Sequence, residues 1–408
     1  MTATTALVVG ALASIGTLLA TIRVRRPSEG IFPVMMVGWL VGELAVFHLV
    51  LQAVALVLLV RAGVLDHVRG AVGVALLGAS MGGLVAVQRR AATAAKVFER
   101  ALAEAFGSTG EERPVTTSWR QVWLPFWFGR RGVDRVRNVA YGDNRRRNVL
   151  DVYRPVGSGA ATHLPVVVYV HGGAWVIGNK EQQGKPLMLH LARNGYIGVS
   201  INYRLASRHR WPAQIIDVKR AVAWVREHIA EYGGDPSFLA IAGSSAGGHL
   251  AALTALTAGD SAFQPGFEDA DASVDACVPI YAPFDLTDHA GLRGRAALRR
   301  FMERLVMPTR LRDDPDTWRT ASPYWRVHAG APPMLVIQGQ LDTLVWREEA
   351  HAFVLALRAV SNTPVVMVEV PGAQHAFEIF NSVRSRAAVV AIGRFLDAVR
   401  VAETTLRE

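Results

Sequence analysis

The 408-residue sequence contains one cysteine, Cys277, and no cysteine–histidine group at the spacing of a metal site. A single cysteine cannot form an internal disulfide, so nothing indicates an oxidising compartment. The net charge is +10, but the basic residues are scattered along the chain, which argues against a nucleic-acid partner. Charge is also missing from Met1 to Ile22, a segment without the basic region and cleavage site of a signal peptide.

Three long apolar runs lie within residues 1–90: Met1–Ile22, Ile31–Val60 and Gly70–Val87. Runs of this length suit helices that cross a bilayer. Only Glu43 and His48 interrupt the second run, and because charge is costly at membrane depth we expect them to pair within the bundle. The sequence therefore predicts a transmembrane region of about three spans over residues 1–90. A soluble all-helical domain is the alternative, and the charged turns between the runs argue against it.

Basic residues flank these runs at two places and indicate the orientation. They are Arg23, Arg25 and Arg26 before the second run, and Arg89, Arg90 and Lys96 after the third. Such clusters favour the cytoplasmic side of a membrane. Three spans satisfy both clusters and place the remainder of the chain in the cytoplasm, whereas two spans would allow it to face outward.

Residues 91–132 are expected to connect the apolar region to the rest of the chain. They begin with an amphipathic helix and continue into a stretch rich in aromatic and basic side chains. The aromatic residues are Trp119, Trp123, Phe126, Trp127 and Phe128. This composition suits a membrane interface, and it suits equally a cap over an active site.

From residue 133 the pattern becomes a hairpin followed by alternating strands and helices. Continuous apolar runs such as Val166–Val170 and Val365–Val370 are typical of buried parallel strands. We therefore predict a mostly parallel, doubly wound α/β sheet over residues 133–408. A basic, helix-prone insertion without a clear strand, near residues 285–325, is predicted to form a helical cap.

The segment Gly243–Gly248, with the sequence GSSAGG, follows the apolar run Phe238–Ala242 and precedes a predicted helix. This is the G-x-S-x-G pattern of a sharp strand-to-helix turn that exposes a serine hydroxyl. Ser245 is therefore the candidate nucleophile, and the helical context makes the match more specific than the bare pattern.

A second motif, His171–Trp175 with the sequence HGGAW, ends the Val166–Val170 strand. Attack on an ester carbonyl places negative charge on its oxygen, which backbone N–H groups can stabilise. Gly172 and Gly173 are the predicted donors from this loop, and Ala246, the residue after the nucleophile, is the predicted third.

Two further residues complete a possible catalytic triad downstream of the serine. Asp342 and His375 each follow a predicted strand, so both fall at the sheet edge that carries the serine. His375 would accept the Ser245 proton and Asp342 would orient the imidazole. Asp285 is a rival acid in a poorer context, since it precedes the insertion.

From about residue 133 to residue 400 the sequence resembles an α/β-hydrolase of the hormone-sensitive-lipase-like carboxylesterase group. The HGGAW loop, the GSSAGG turn, Asp342 and His375 occur in that family's order. Membrane-anchored actinobacterial esterases and isoprenylcysteine methylesterases are similar in layout. Two residues depart from the family pattern, since Ala174 replaces a third glycine and Ser244 replaces an aspartate.

The resemblance implies a membrane-anchored serine carboxylesterase that works through an acyl-enzyme and uses no metal or organic cofactor. Its expected substrate is a small-molecule or lipid ester, its expected partner is membrane lipid, and the sequence leaves the oligomeric state open. Two alternatives stay open: an amidase or formamidase with the same triad, and a membrane scaffold whose hydrolase domain only binds.

Overall fold

The structure is a computed structural model that describes residues 2–23, 31–107, 123–291 and 296–407. Arg25, Arg26 and Trp119 from the predictions above lie outside these residues. So do residues 292–295 of the predicted insertion.

Three of the N-terminal helices run side by side and share two buried clusters, one at each end of the bundle. The cluster nearer the sheet joins Ala20, Ala45 and Leu84, and the far cluster joins Ala6 and Leu59 to Leu77. Among the described residues, two helices are long and apolar enough to cross a membrane, or three if a bent pair counts as one span. The first four helices are α1 (Ala3–Thr21), α2 (Ile31–Glu43), α3 (Ala45–Arg61) and α4 (Val68–Ala92).

The second apolar run, which the sequence predicts as one spanning helix, is a pair of helices bent by 84° between α2 and α3. Leu44 leaves the helical conformation at the bend, with φ −105° and ψ 25°. Glu43, the last residue of α2, is expected from the sequence to pair within the bundle, but it pairs outside it. Its carboxylate binds Arg384 of the C-terminal region at 3.0 Å, and this ion pair is buried. The residue just before the bend thus has a partner far away in sequence.

The C-terminal region contains one eight-stranded sheet, in the order β1-β2-β4-β3-β5-β6-β7-β8. The predicted hairpin forms the antiparallel pair β1–β2, β2 is also antiparallel to β4, and all other neighbours are parallel. This confirms the predicted α/β-hydrolase fold class. The strands are β1 (Val133–Ala140), β2 (Val149–Pro155), β3 (Leu164–Val170), β4 (Ile197–Ile201), β5 (Gly234–Ser244), β6 (Ala276–Ile280), β7 (Met334–Gly339) and β8 (Val365–Val370).

Helices cover both faces of this sheet, because its central strands carry apolar side chains on both sides. One face packs against α7, α8 and α11, and the other against α5, α6 and α12. Short helices between β6 and β7 occupy the predicted cap insertion, and Trp318 there is fully buried in the first of these cores. The helices are α5 (Ala94–Phe106), α6 (Lys185–Arg193), α7 (Ala213–His228), α8 (Ala246–Leu256), α9 (Ala296–Phe301, continued by a π-helical turn, Met302–Val306), α10 (Pro315–Thr320), α11 (Arg347–Arg358) and α12 (Val383–Arg407).

The N-terminal bundle meets the hydrolase region at the carboxyl edge of the sheet. Besides the Glu43–Arg384 pair, Arg23 binds Glu348 at 2.6 Å and Arg90 donates to Gln340 Oε1 at 2.7 Å. Gln340, Glu348 and Arg384 all follow strand β7 or β8. The end of the sheet that carries the candidate active site therefore faces the apolar helices.

Candidate active site

Ser245 lies at the sharp junction between β5 and α8, with φ 54° and ψ −121°. A non-glycine residue in this conformation is strained and is typical of a nucleophile held by its surroundings. Two flanking glycines allow the turn to pack closely. A Cβ atom on Gly243 would lie 2.3 Å from the Gly247 carbonyl oxygen, and one on Gly247 would lie 2.1 Å from that of Val170.

The structure brings the three residues of the predicted triad together. His375 Nε2 lies 2.9 Å from Ser245 Oγ, and His375 Nδ1 lies 2.8 Å from Asp342 Oδ2. These distances allow a proton to pass from the serine to the imidazole. Asp342 is fully buried and His375 is nearly so, whereas Ser245 is partly exposed.

Further hydrogen bonds fix the Asp342 carboxylate. Oδ1 accepts from the backbone N–H groups of Leu344 and Val345, both at 2.8 Å, and Oδ2 accepts from Gln338 Nε2 at 3.1 Å. The rival acid Asp285 is engaged elsewhere, since its carboxylate accepts from Thr287 and from the backbone of His289. The geometry therefore favours Asp342 over Asp285 as the acid that orients His375.

The predicted oxyanion donors differ in whether their backbone N–H groups already have a hydrogen-bond acceptor. The N–H of Gly172 donates to Gln183 Oε1 at 2.7 Å, so this side chain has to move aside before Gly172 can act as the predicted donor. The N–H groups of Gly173, Ala174 and Ala246 have no hydrogen-bond partner among the residues that the structure describes. Ala246 also begins α8, where the helix dipole favours negative charge.

The His171 side chain contacts the backbone of its own HGGAW loop. Its Nδ1 lies 2.7 Å from the Gly172 carbonyl oxygen and its ring stacks on Tyr203. Burial lowers the pKa of His171 to about 3, so the ring is neutral near pH 7. Arg147, which sequence reasoning missed, donates to the carbonyl oxygens of Tyr203 and Gly178 at 2.8 and 3.1 Å and holds the loop from the other side.

A buried polar network lies directly beneath the nucleophile, and the sequence analysis did not anticipate it. Ser244 Oγ donates to Glu378 Oε1 at 2.7 Å and accepts from Tyr169 at 2.8 Å. The Tyr281 hydroxyl donates to the same Glu378 oxygen, and its ring packs 4.4 Å from that of His375. Burial raises the pKa of Glu378. An aspartate at position 244 would face this carboxyl group, which explains why serine suits the site.

Helix α2 contacts both neighbours of His375. The Trp39 indole N–H donates to the Ala376 carbonyl oxygen at 2.8 Å, and the site of a Cβ on Gly38 lies 3.5 Å from Gln374 Nε2. The loop that carries His375 is therefore in contact with a helix of the apolar region.

Comparison with known proteins connects this geometry to a family. The family model described as BD-FAE matches residues 150–357, about half of the chain. The chain belongs to the BD-FAE family. This confirms the resemblance to hormone-sensitive-lipase-like α/β-hydrolases, and the BD-FAE match includes Ser245 and Asp342 and ends before His375.

Three proteins similar to this chain are named as esterases or carboxylic ester hydrolases. Esterase LipQ of Mycobacterium tuberculosis is 41% identical over 315 residues, which cover 74% of each chain. The probable carboxylic ester hydrolase LipM of the same organism is 46% identical over 266 residues, 64% of this chain and 61% of that one. The propionate-bound esterase Est2 of Thermogutta terrifontis has 25% identity and a TM-score of 0.51, and the match covers 68% of this chain and 94% of that one. The chain is accordingly a carboxylic ester hydrolase.

Proposed function

We propose that the protein is a membrane-bound serine carboxylesterase that works through an acyl-enzyme on Ser245. The observation that carries this proposal is the continuous hydrogen-bonded path from Asp342 through His375 to Ser245. Such a path gives a nucleophile, a base and an orienting acid in the relation that acyl transfer requires.

In the acylation step, Ser245 Oγ attacks the carbonyl carbon of the ester while its proton passes to His375 Nε2. The tetrahedral oxyanion is held by the amides of Gly172, Gly173 and Ala246, after the Gln183 side chain leaves the Gly172 N–H. The carbon–oxygen bond to the alcohol then breaks, and His375 returns the proton to the departing alcohol oxygen. Asp342 stabilises the transient imidazolium.

Deacylation uses the same groups, with water as the nucleophile and Ser245 as the leaving group. His375 takes a proton from water, the hydroxide oxygen bonds to the acyl carbon, and the bond to Ser245 Oγ breaks. The serine regains its proton from His375 and the carboxylic acid leaves.

The first test replaces the nucleophile. Ser245→Ala should abolish hydrolysis of p-nitrophenyl butyrate and labelling by a fluorophosphonate, while the protein stays folded and in the membrane fraction. Ser261→Ala, at a 3₁₀ turn outside the site, is the matched control and should keep both. Labelling that survives in Ser245→Ala places the nucleophile elsewhere, and faster turnover of an aryl formamide than of the ester identifies an amidase instead.

We also propose that α1, α3 and α4 cross the membrane and leave the hydrolase region in the cytoplasm. What supports this is the position of the basic residues: Arg23 and Arg90 lie at the bundle end that contacts the hydrolase region. A Lys/Arg excess at that end favours its retention on the cytoplasmic side.

The topology is tested with spheroplasts. The protein should stay with membranes through a high-salt or alkaline wash, and protease added to intact spheroplasts should leave the hydrolase region uncut until detergent is added. Digestion without detergent would contradict the cytoplasmic placement, and release by the wash would contradict membrane insertion.

A further inference from the structure

We propose that α2 lies flat at the bilayer surface and holds the active site against it, so that Ser245 acts on esters that partition into the membrane. This inference rests on the proposed function and adds a substrate class to it.

The first step concerns the direction of α2. Helices α1, α3 and α4 share buried clusters at both ends and so run side by side. Because α2 is bent by 84° from α3, it lies nearly perpendicular to them. If these three helices cross the bilayer, α2 runs along its surface.

The second step concerns the level at which α2 lies. It packs against the last turns of α1, where the site of a Cβ on Gly38 is 2.5 Å from the Leu19 carbonyl oxygen and that on Gly42 is 3.9 Å from the Ala20 Cβ. The end of α1 is also where Arg23 reaches Glu348. Helix α2 therefore lies at the boundary between the apolar bundle and the hydrolase region.

The third step is the contact between α2 and the active site. Trp39 holds the Ala376 carbonyl oxygen and stacks on Phe380 with ring centroids 4.7 Å apart. Met35 joins them in a buried cluster, and the Glu43–Arg384 ion pair fixes the end of the helix. The catalytic edge thus meets the membrane boundary through α2.

The fourth step is the apolar surface left uncovered beside this contact. Phe126 packs edge-on against Phe380 at 5.1 Å, and Trp123 packs against Phe47 near the start of α3 at 5.7 Å. Aromatic side chains at this level are typical of a membrane interface. The exposed residues, which we call the interfacial patch, are Phe32, Val37, Trp123, Leu124, Phe126 and Trp127, each between 40% and 68% exposed.

The occupant of the interfacial patch is the bilayer itself. Apolar side chains on the outer faces of α1 and α3, such as Leu12 at 65% and Leu51 at 65% exposure, belong to the same helical bundle. An apolar surface of this kind on a chain with bilayer-length helices buries its area in lipid. Esters dissolved in that lipid then meet Ser245 at the sheet edge that faces the bundle, without leaving the interface.

The first experiment measures depth and does not depend on activity. The single Cys277 is fully buried, so a spin label can be placed at Val37→Cys in the full-length protein after Cys277→Ala. In vesicles of phosphatidylcholine and phosphatidylglycerol, the label should be more accessible to oxygen than to a water-soluble nickel complex. The control is Val156→Cys, 64% exposed and just beyond β2 at the opposite edge of the sheet, where the label should show the reverse. A water-exposed label at position 37 overturns the proposal.

The second experiment measures substrate class in the same vesicles with two fluorogenic esters, 4-methylumbelliferyl butyrate and 4-methylumbelliferyl oleate. Val37→Asp places a charge against lipid and should lower turnover of the bilayer-partitioned oleate by about tenfold. Turnover of the soluble butyrate should change by no more than about twofold, as should both activities in Val156→Asp. Intact butyrate turnover also shows that Val37→Asp is folded.

The outcomes separate the two proposals. Equal effects of Val37→Asp on both esters, or none on either, refute the substrate class even if the label is in lipid. Ester turnover that persists in Ser245→Ala refutes the proposed function, while the depth of position 37 is decided by the label alone.

Discussion

Replacing Asp342 by asparagine tests the proposed mechanism at one atom. Oδ1 of Asp342 accepts two backbone N–H groups and Oδ2, among the described residues, accepts only one protein donor besides His375, Gln338 Nε2, so the Oδ1 position is the better one for the amide oxygen of an asparagine. Its NH₂ group then takes the place of Oδ2 and points at His375 Nδ1, which lies 2.8 Å away. A donor there forces Nδ1 to be the acceptor and leaves the proton on Nε2, the nitrogen that has to receive the proton of Ser245.

The expected magnitude follows from this inverted tautomer. In the Ser-His-Asp triad, the same change lowers kcat by about 10⁴, which corresponds to about 5 kcal/mol of transition-state stabilisation. Hydrolysis of p-nitrophenyl butyrate by Asp342→Asn should therefore fall by about that factor with little change in KM. Circular dichroism of the purified protein checks that the fold is retained.

Asp285→Asn is the matched control. Its carboxylate accepts from Thr287 and His289 within its own turn, so turnover should stay within about a factor of two or three of the wild type. A loss below tenfold in Asp342→Asn, or a larger loss in Asp285→Asn, would refute the assignment of the acid.

Two further predictions concern groups that support the site. Ser244→Asp should lower the free energy of unfolding by about 2–4 kcal/mol, because it buries a second carboxyl group against Glu378. Adding Glu378→Gln should recover part of that loss, and additive losses would contradict the pairing. Because burial lowers the pKa of His171 to about 3, the unfolded chain binds more protons below about pH 6.5 and stability falls as the pH falls towards 3. Between pH 7 and pH 5, protonation of His171 in the unfolded chain should lower the free energy of unfolding by about 2 kcal/mol. The unfolding temperature of His171→Asn should therefore change less with acid over that range.

The proximity of the predicted triad residues was readable in the sequence because each of them follows a buried strand. Parallel strands bring their carboxyl ends to one edge, so Ser245, Asp342 and His375 had to converge once the strands were recognised. The hydrogen bond of the Gly172 amide was not readable in the same way. It depends on the side chain of Gln183, which a loop of irregular backbone places 2.7 Å from the Gly172 amide.

The bend after Glu43 could not be predicted for a related reason. Apolar composition continues through it, and the only local sign is a carboxylate within an apolar run. Its partner Arg384 is 341 residues away, and no periodicity reports a contact over that separation. The pairing of Ser244 with Glu378 is similar, although a glutamate three residues after His375 is at least visible in the sequence.

The contacts of α2 have a consequence for how freely the two halves of this protein can be exchanged. A hydrolase domain tethered by an inert anchor would tolerate replacement of that anchor by any other hydrophobic helix. In this protein such a replacement would remove the hydrogen bond from Trp39 to the Ala376 carbonyl oxygen and would leave Arg384 buried without Glu43. Designed chimeras should therefore exchange residues 31–43 together with the loop around His375.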